Sequence, residues 1–226
     1  MTQDEAKLLA AKRAVEFIQD GMAVGLGTGT TATLFIQELG KRVQAGLRVR
    51  GIATSDASHE LAEQLGIRMT TFAETPVLDI DVDGADEVGP GLALIKGGGG
   101  AHLREKIVAS AARQFIVVAD STKVVAQLGR FPLPVEVIPL ALPLVERRLN
   151  ELGLNPKLRP ARNIAGPWIT DEGNLILDCF CGVIADPARI ATEIRSIVGV
   201  VEHGLFLNMA TLALVAGEDG VQELHP

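Results

Sequence analysis

The chain has 226 residues, 47% hydrophobic and 22% charged. That is enough apolar material for one large domain, or one domain carrying a smaller insert, and it excludes a disordered chain. A formal net charge of −7 argues against general nucleic-acid binding, so any anionic ligand must be held by a local site.

Thr2-Gln3-Asp4-Glu5 is a capping-box pattern that opens a helix with Leu8, Ala11, Val15 and Ile18 along one face. Met22 to Leu26 follows as a buried strand, then a glycine-threonine turn and a helix through Ala32, Leu34, Phe35, Ile36 and Leu39. Val49 to Ala53 is strand-like, and Ser55 or Asp56 can cap a helix running to Leu65. Further strands are expected at Leu78 to Val82 and Phe115 to Ala119. Between them lies a helix with apolar positions at Leu103, Ile107 and Ala111. Strands separated by helices imply right-handed crossovers, hence an α/β fold with a mostly parallel, Rossmann-like sheet.

The pattern changes at Phe131-Pro132-Leu133-Pro134. Beyond it come a strand (Val135 to Pro139), a helix (Leu144 to Leu152), strand-like stretches at Trp168 to Thr170 and Asn174 to Phe180, and a helix near Pro187 to Ile197. Val200 to Leu207 returns toward the first unit, which Ala210 to Ala216 closes with a strand. The expected division is a catalytic domain from residues 1–131 plus 207–226 and a small α+β domain from 132–206. No apolar run approaches the roughly 18 residues that span a membrane. Residues 1–5 lack the features of a signal peptide, so a cytoplasmic location is expected. Cys179 and Cys181 are read as core filling, and the four scattered histidines show no metal-ligand spacing.

Ligands of parallel sheets collect at the carboxyl ends of the strands, and four motifs fall there. Gly27-Thr28-Gly29-Thr30-Thr31 sits between strand and helix, where a phosphate cradle belongs; a tight turn with an N-cap threonine is the plainer alternative. It lacks the lysine of a P-loop and the third glycine of a dinucleotide fingerprint, which disfavours a dinucleotide-binding oxidoreductase. In Asp79-Ile80-Asp81-Val82-Asp83-Gly84-Ala85-Asp86-Glu87, alternation puts Asp79, Asp81 and Asp83 on one side of a strand. Gly84 can turn the chain so that Asp83 and Asp86 surround one small space, as carboxylates sharing proton-transfer work would need. Asp79 and Asp81 also fit a merely solvated acidic turn. Lys96 precedes Gly97-Gly98-Gly99-Gly100, a turn that opens the helix carrying Glu105 and offers free N–H groups to an oxyanion. Asp120-Ser121-Thr122-Lys123 follows a strand end, making Lys123 a candidate anion contact.

Together these segments resemble the type A ribose-5-phosphate isomerase family. The resemblance runs in order through Gly25 to Ala32, Thr54-Ser55-Asp56, Asp83-Gly84-Ala85-Asp86-Glu87, Ile95 to Gly99, Arg104-Glu105-Lys106-Ile107, Ala119 to Lys123, Phe131 to Val137, Gly199-Val200-Val201 and Gly204-Leu205-Phe206. It implies metal-free, cofactor-free interconversion of ribose 5-phosphate and ribulose 5-phosphate, in a homodimer or homotetramer. By motif, Glu105 would be the general base, Lys96 the oxyanion partner, and Asp83 and Asp86 the carboxylates on the sugar hydroxyls that assist ring opening. Thr28, Gly29, Thr30 and Thr31 would line the substrate pocket with Gly84, Ala85, Gly97, Gly98 and Gly99, and Lys123 and Lys7 would add positive charge. Thr30 stands where the family often has serine. Gly100, His102 and Leu103 depart from its usual alanines and threonine, with His102 read as a helix-surface residue. The rivals are a sugar-phosphate deaminase or lactonase, which needs a different acid–base set, and a sugar-phosphate sensor that binds without turnover.

Overall fold

The computed structural model describes residues 1–226. In chain order the helices are α1 (Gln3–Val15), α2 (Thr30–Gln44), α3 (Asp56–Gln64), α4 (His102–Ala111), α5 (Leu142–Glu151) and α6 (Pro187–Arg195). The strands are β1 (Ala23–Leu26), β2 (Arg50–Ala53), β3 (Arg68–Met69), β4 (Ile80–Gly84), β5 (Glu87–Val88), β6 (Leu94–Ile95) and β7 (Phe115–Asp120). They continue as β8 (Leu133–Val137), β9 (Pro156–Leu158), β10 (Leu175–Cys179), β11 (Val200–His203), β12 (Leu205–Phe206), β13 (Leu212–Gly217) and β14 (Gly220–Leu224).

Seven strands form the main sheet in the order β14-β13-β7-β4-β1-β2-β3, parallel except for the β13–β14 hairpin at one edge. Alternation along the central strands decides what each face holds. Ile80 and Val82 of β4, with Ile116 and Val118 of β7, pack against α1 and α2. Phe115, Val117 and Ala119 enter the core on the opposite face with Ala109 of α4. Asp81 and Asp83, odd-numbered neighbours of Ile80 and Val82, therefore fall on the α4 side. The capping box forms, with Thr2 and Glu5 exchanging hydrogen bonds at the start of α1. The stripe that α1 buries is Ala6, Ala10 and Ala14 as well as Ala11 and Val15.

A four-stranded antiparallel sheet, β11-β8-β10-β9, carries α5 and α6 on a second core of Val135, Val137, Val145, Leu149, Leu177 and Ile194. A third, three-stranded sheet (β12-β6-β5) ties the two together, with Leu205 paired to Ile95 and Ile95 to Glu87. Two expectations are corrected. Trp168 to Thr170 is not a strand; it makes only a single bridge through Ile169 to Leu175. β9 pairs with β10, Pro156 with Cys179 and Leu158 with Leu177. The main sheet closes on polar, half-exposed β14, not on the apolar strand before it. Cys179 and Cys181 are both free thiols.

Candidate active site

At the carboxyl ends of β1, β4 and β7 the chain opens a cleft of about 520 Å³, including the part open to solvent. Four sequence motifs meet there. The turn before α2 contributes Thr28, Gly29, Thr30 and Thr31, and the turn after β4 contributes Gly84, Ala85 and Asp86. Lys96 and Gly97 to Gly99 form one wall, with Glu105 behind them. Lys7 comes from α1 and Lys123 from the single helical turn after β7. Asp83 is the one expected site residue that does not line the opening; it lies fully buried directly beneath.

The centre of the site is a buried ion-pair triad. Lys96 Nζ lies 3.0 Å from Asp83 Oδ2 and 3.3 Å from Glu105 Oε2, and it donates to the Gly84 carbonyl. All three side chains are at most 4% exposed. Burial opposes the charge on Lys96, but Asp83 and Glu105 outweigh it and hold the ammonium above its ordinary pKa. Burial also pushes Glu105 up to about 8, against the pull of Lys96 and with help from Asp83 and Asp86. Asp83 is pushed up by burial too, but Lys96 and the N–H groups of Gly84 (2.7 Å) and Thr28 (2.9 Å) favour its charged form. The arrangement holds a fixed cation beside a carboxylate of raised basicity.

Gly25 of β1 and Gly27 just beyond its end make room for this. A Cβ on Gly27 would sit 2.3 Å from Asp83 Oδ1 and 2.6 Å from the Asp83 Cα. One on Gly25 would sit 2.3 Å from Asp81 Oδ1. Asp81 is thus no solvated acidic turn. It is completely buried, and neither carboxylate oxygen has a hydrogen-bond partner. Burial and the neighbouring Asp83 drive its pKa well up, which favours the protonated form. Asp79 is half-exposed and accepts the Ala23 N–H at 2.8 Å. A carboxyl whose folded pKa is raised costs stability progressively as pH climbs above its unfolded value of about 4. Asp81→Asn removes that cost. The variant is expected to be more stable than wild type by a margin that grows between about pH 5 and about pH 8, read by urea unfolding.

α4 buries a different face from the one its apolar spacing suggested. Ile107 is 46% exposed, while His102, Glu105, Val108 and Ala109 are buried. The helix turns its chemistry inward because Glu105 is matched by Lys96 there. His102 is accordingly not on the surface. It is wholly buried behind the glycine turn, with Nε2 3.8 Å from Glu136 Oε2, and burial pushes its pKa down to about 3, so it is neutral. Lys106 points away from the cleft to Glu202 at 2.9 Å.

The phosphate-cradle reading needs one adjustment. Thr28 lines the cleft, but its hydroxyl is engaged by Thr54 Oγ1 at 2.6 Å and Ser55 Oγ at 2.8 Å. Thr30 and Thr31 stand in the first turn of α2, behind Gly29 at φ 102°, where helical N–H groups and the dipole favour an anion. In the opposite wall Gly98 N–H donates to Asp86 Oδ2 at 2.7 Å. Glu87, given no role by sequence, is buried and accepts from Gly129 N–H (2.7 Å) and Phe131 N–H (2.6 Å). Its place beside Asp86 was the available signal; the chain it holds lies more than forty positions away.

The cleft thus pairs a cationic end, made by Lys7, Lys123 and the α2 N-terminus, with the buried Lys96–Glu105 pair. The sequence model for ribose 5-phosphate isomerase A (phosphoriboisomerase A) matches residues 50–220. A ribose-5-phosphate isomerase A of Roseiflexus sp. (strain RS-1) is 54% identical over 96% of this chain and 94% of that protein. One from Natronomonas pharaonis is 51% identical, covering 95% of this chain and 94% of its own. Among solved structures, ribose 5-phosphate isomerase A of Methanocaldococcus jannaschii superposes with a TM-score of 0.96 at 46% identity over the whole of both chains. A D-ribose-5-phosphate isomerase in complex with phospho-erythronic acid superposes at 0.97, with 39% identity and equally full coverage. Sequence, fold and full-length correspondence agree: the chain belongs to the ribose 5-phosphate isomerase A family.

Proposed function

We propose that this protein is an aldose-ketose isomerase that interconverts D-ribose 5-phosphate and D-ribulose 5-phosphate through an enediolate, in the non-oxidative branch of the pentose phosphate pathway. The observation that carries the reading is the buried Lys96–Glu105 pair, 3.3 Å apart, at the far end of a cleft whose mouth is cationic. The phosphate sits against Lys7, Lys123 and the first turn of α2, and the sugar chain extends toward Lys96. Asp86 contacts the sugar hydroxyls and, with Asp83 acting from beneath through Lys96, assists ring opening, moving the anomeric hydroxyl proton to the ring oxygen. Glu105 then takes the proton from C2, and the electron pair moves through the C1–C2 bond onto O1 beside the Lys96 ammonium. The hydroxyl proton passes from O2 to O1, and Glu105 returns its own to C1, giving the ketose.

Magnitudes suit this division. A positioned base contributes about 10²–10⁴-fold. A preorganised donor at the developing oxyanion contributes about 3–4 kcal/mol, more in a site from which water is excluded. Residues 1–131 plus 207–226 form the catalytic domain in this reading, with 132–206 as the small one. The protein works in the cytoplasm as a homodimer or homotetramer. No helix is long and apolar enough to cross a membrane.

The deciding assay follows ribulose 5-phosphate formation from ribose 5-phosphate in excess EDTA. Steady turnover is expected. Binding of ribose 5-phosphate without turnover would replace the reading by a sugar-phosphate sensor, and turnover abolished by EDTA would overturn the metal-free mechanism.

A further inference from the structure

The four-stranded sheet reaches into the cleft through one side chain. Arg159, immediately after β9, is 11% exposed and forks onto Asp178 of β10, with Nε 2.9 Å from Oδ2 and Nη2 2.5 Å from Oδ1. Its remaining nitrogen, Nη1, donates to the Gly97 carbonyl at 2.8 Å and approaches the Gly98 carbonyl at 3.4 Å. One guanidinium therefore ties two carbonyls of the glycine turn to a carboxylate on another sheet.

The consequence follows from peptide geometry. In a planar trans peptide the carbonyl of one residue and the N–H of the next point in opposite directions. Drawing the Gly97 carbonyl toward Arg159 sends the Gly98 N–H the other way, and there it meets Asp86 Oδ2 at 2.7 Å. Drawing the Gly98 carbonyl the same way turns the Gly99 N–H toward the cleft, where Gly99 forms part of the wall and this N–H has no partner within the chain. Glycine peptides rotate at little cost, and within the turn the one backbone bond that resists rotation is the Gly100 N–H donating to the Gly97 carbonyl at 3.0 Å, which leaves the Gly98 carbonyl to Arg159. Gly97 itself sits at φ 103°.

We infer that Arg159, braced by Asp178, is a positioning residue for catalysis: it sets the peptide planes of the glycine turn so that Asp86 is held by Gly98 and the Gly99 N–H faces the substrate. This rests on the isomerase reading above. The small sheet thereby takes part in the reaction without touching the substrate. The phosphate contacts at Lys7, Lys123 and α2 are independent of it, so the effect falls on kcat more than on KM.

The test is steady-state kinetics of Arg159→Ala and Arg159→Lys beside wild type, with melting temperatures and with guanidinium added to the alanine variant. Wild-type turnover in the same assay separates failure here from failure of the isomerase reading. A misplaced catalytic loop costs about 10²-fold in rate. Arg159→Ala is expected to lose about that factor in kcat, to keep KM within about twofold, and to regain rate with guanidinium. If Arg159→Ala does not fold, Arg159→Lys carries the test, because a single ammonium cannot span Asp178 and both carbonyls; its kcat must fall while its melting temperature holds. A folded variant with wild-type kcat, or a loss confined to KM, or one that guanidinium never restores, overturns the inference.

Discussion

Glu105→Gln is expected to give a folded protein that still binds ribose 5-phosphate but turns it over about 10²–10⁴-fold more slowly. Glutamine fills the same space beside Lys96 yet cannot accept a proton from carbon. Unchanged kcat would sink the assignment of the base. In wild type, kcat/KM should rise with pH as Glu105 loses its proton, toward a value near 8. The same substitution should alter stability in a defined direction. Glu105 carries a folded pKa above the 4.5 of a free glutamate, so its contribution is complete below that value and declines as pH rises toward about 8. Glu105→Gln escapes the decline. Relative to wild type it should grow more stable across that window, so urea unfolding would show a site that sacrifices stability for basicity.

Lys96→Met should have the largest combined effect. It removes the cation beside the developing oxyanion, worth about 3–4 kcal/mol of transition-state stabilisation. It also leaves Asp83 and Glu105 buried without their shared partner, 3.0 and 3.3 Å away in the native protein. Breaking a buried pair in this way typically costs about 3–5 kcal/mol. The variant should be inactive and much less stable at about pH 8, and the stability deficit should shrink toward about pH 5 as the stranded carboxylates take up protons. Urea unfolding at the two pH values checks this. A deficit independent of pH would mean that Lys96 packs rather than pairs.

Much of this architecture is legible in the sequence because short-range chemistry dictates it. Glycines and threonines at strand ends, the acidic run after Leu78 and the lysine before four glycines each announce a place in a parallel sheet. α4 shows where such reading fails. Its Leu103, Ile107 and Ala111 spacing points to one buried face, but the helix buries His102, Glu105 and Val108, since a charged residue with a matching partner can outcompete an apolar stripe. No local pattern reveals that partner. Nor could spacing find Arg159, which meets the glycine turn from 62 positions away. Asp81 was flagged by its alternation with Asp83, but whether such a carboxylate is solvated or entombed depends on the neighbouring strand, where Gly25 has no side chain to exclude it.

Gly25 and Gly27, in and just after β1, and the aspartates of β4 are, in effect, one shape divided between two chain segments, and the halves differ in how they can change. At position 25 the nearest atoms a methyl group would meet belong to the side chains of Asp81 and Val108. Lineages can therefore drift there, provided position 81 or 108 shrinks in company. At position 27 the collision reaches the Asp83 Cα itself, which no exchange of side chains can withdraw. Of two glycines that look alike in the sequence, one is negotiable and the other is locked to the backbone beneath the active site.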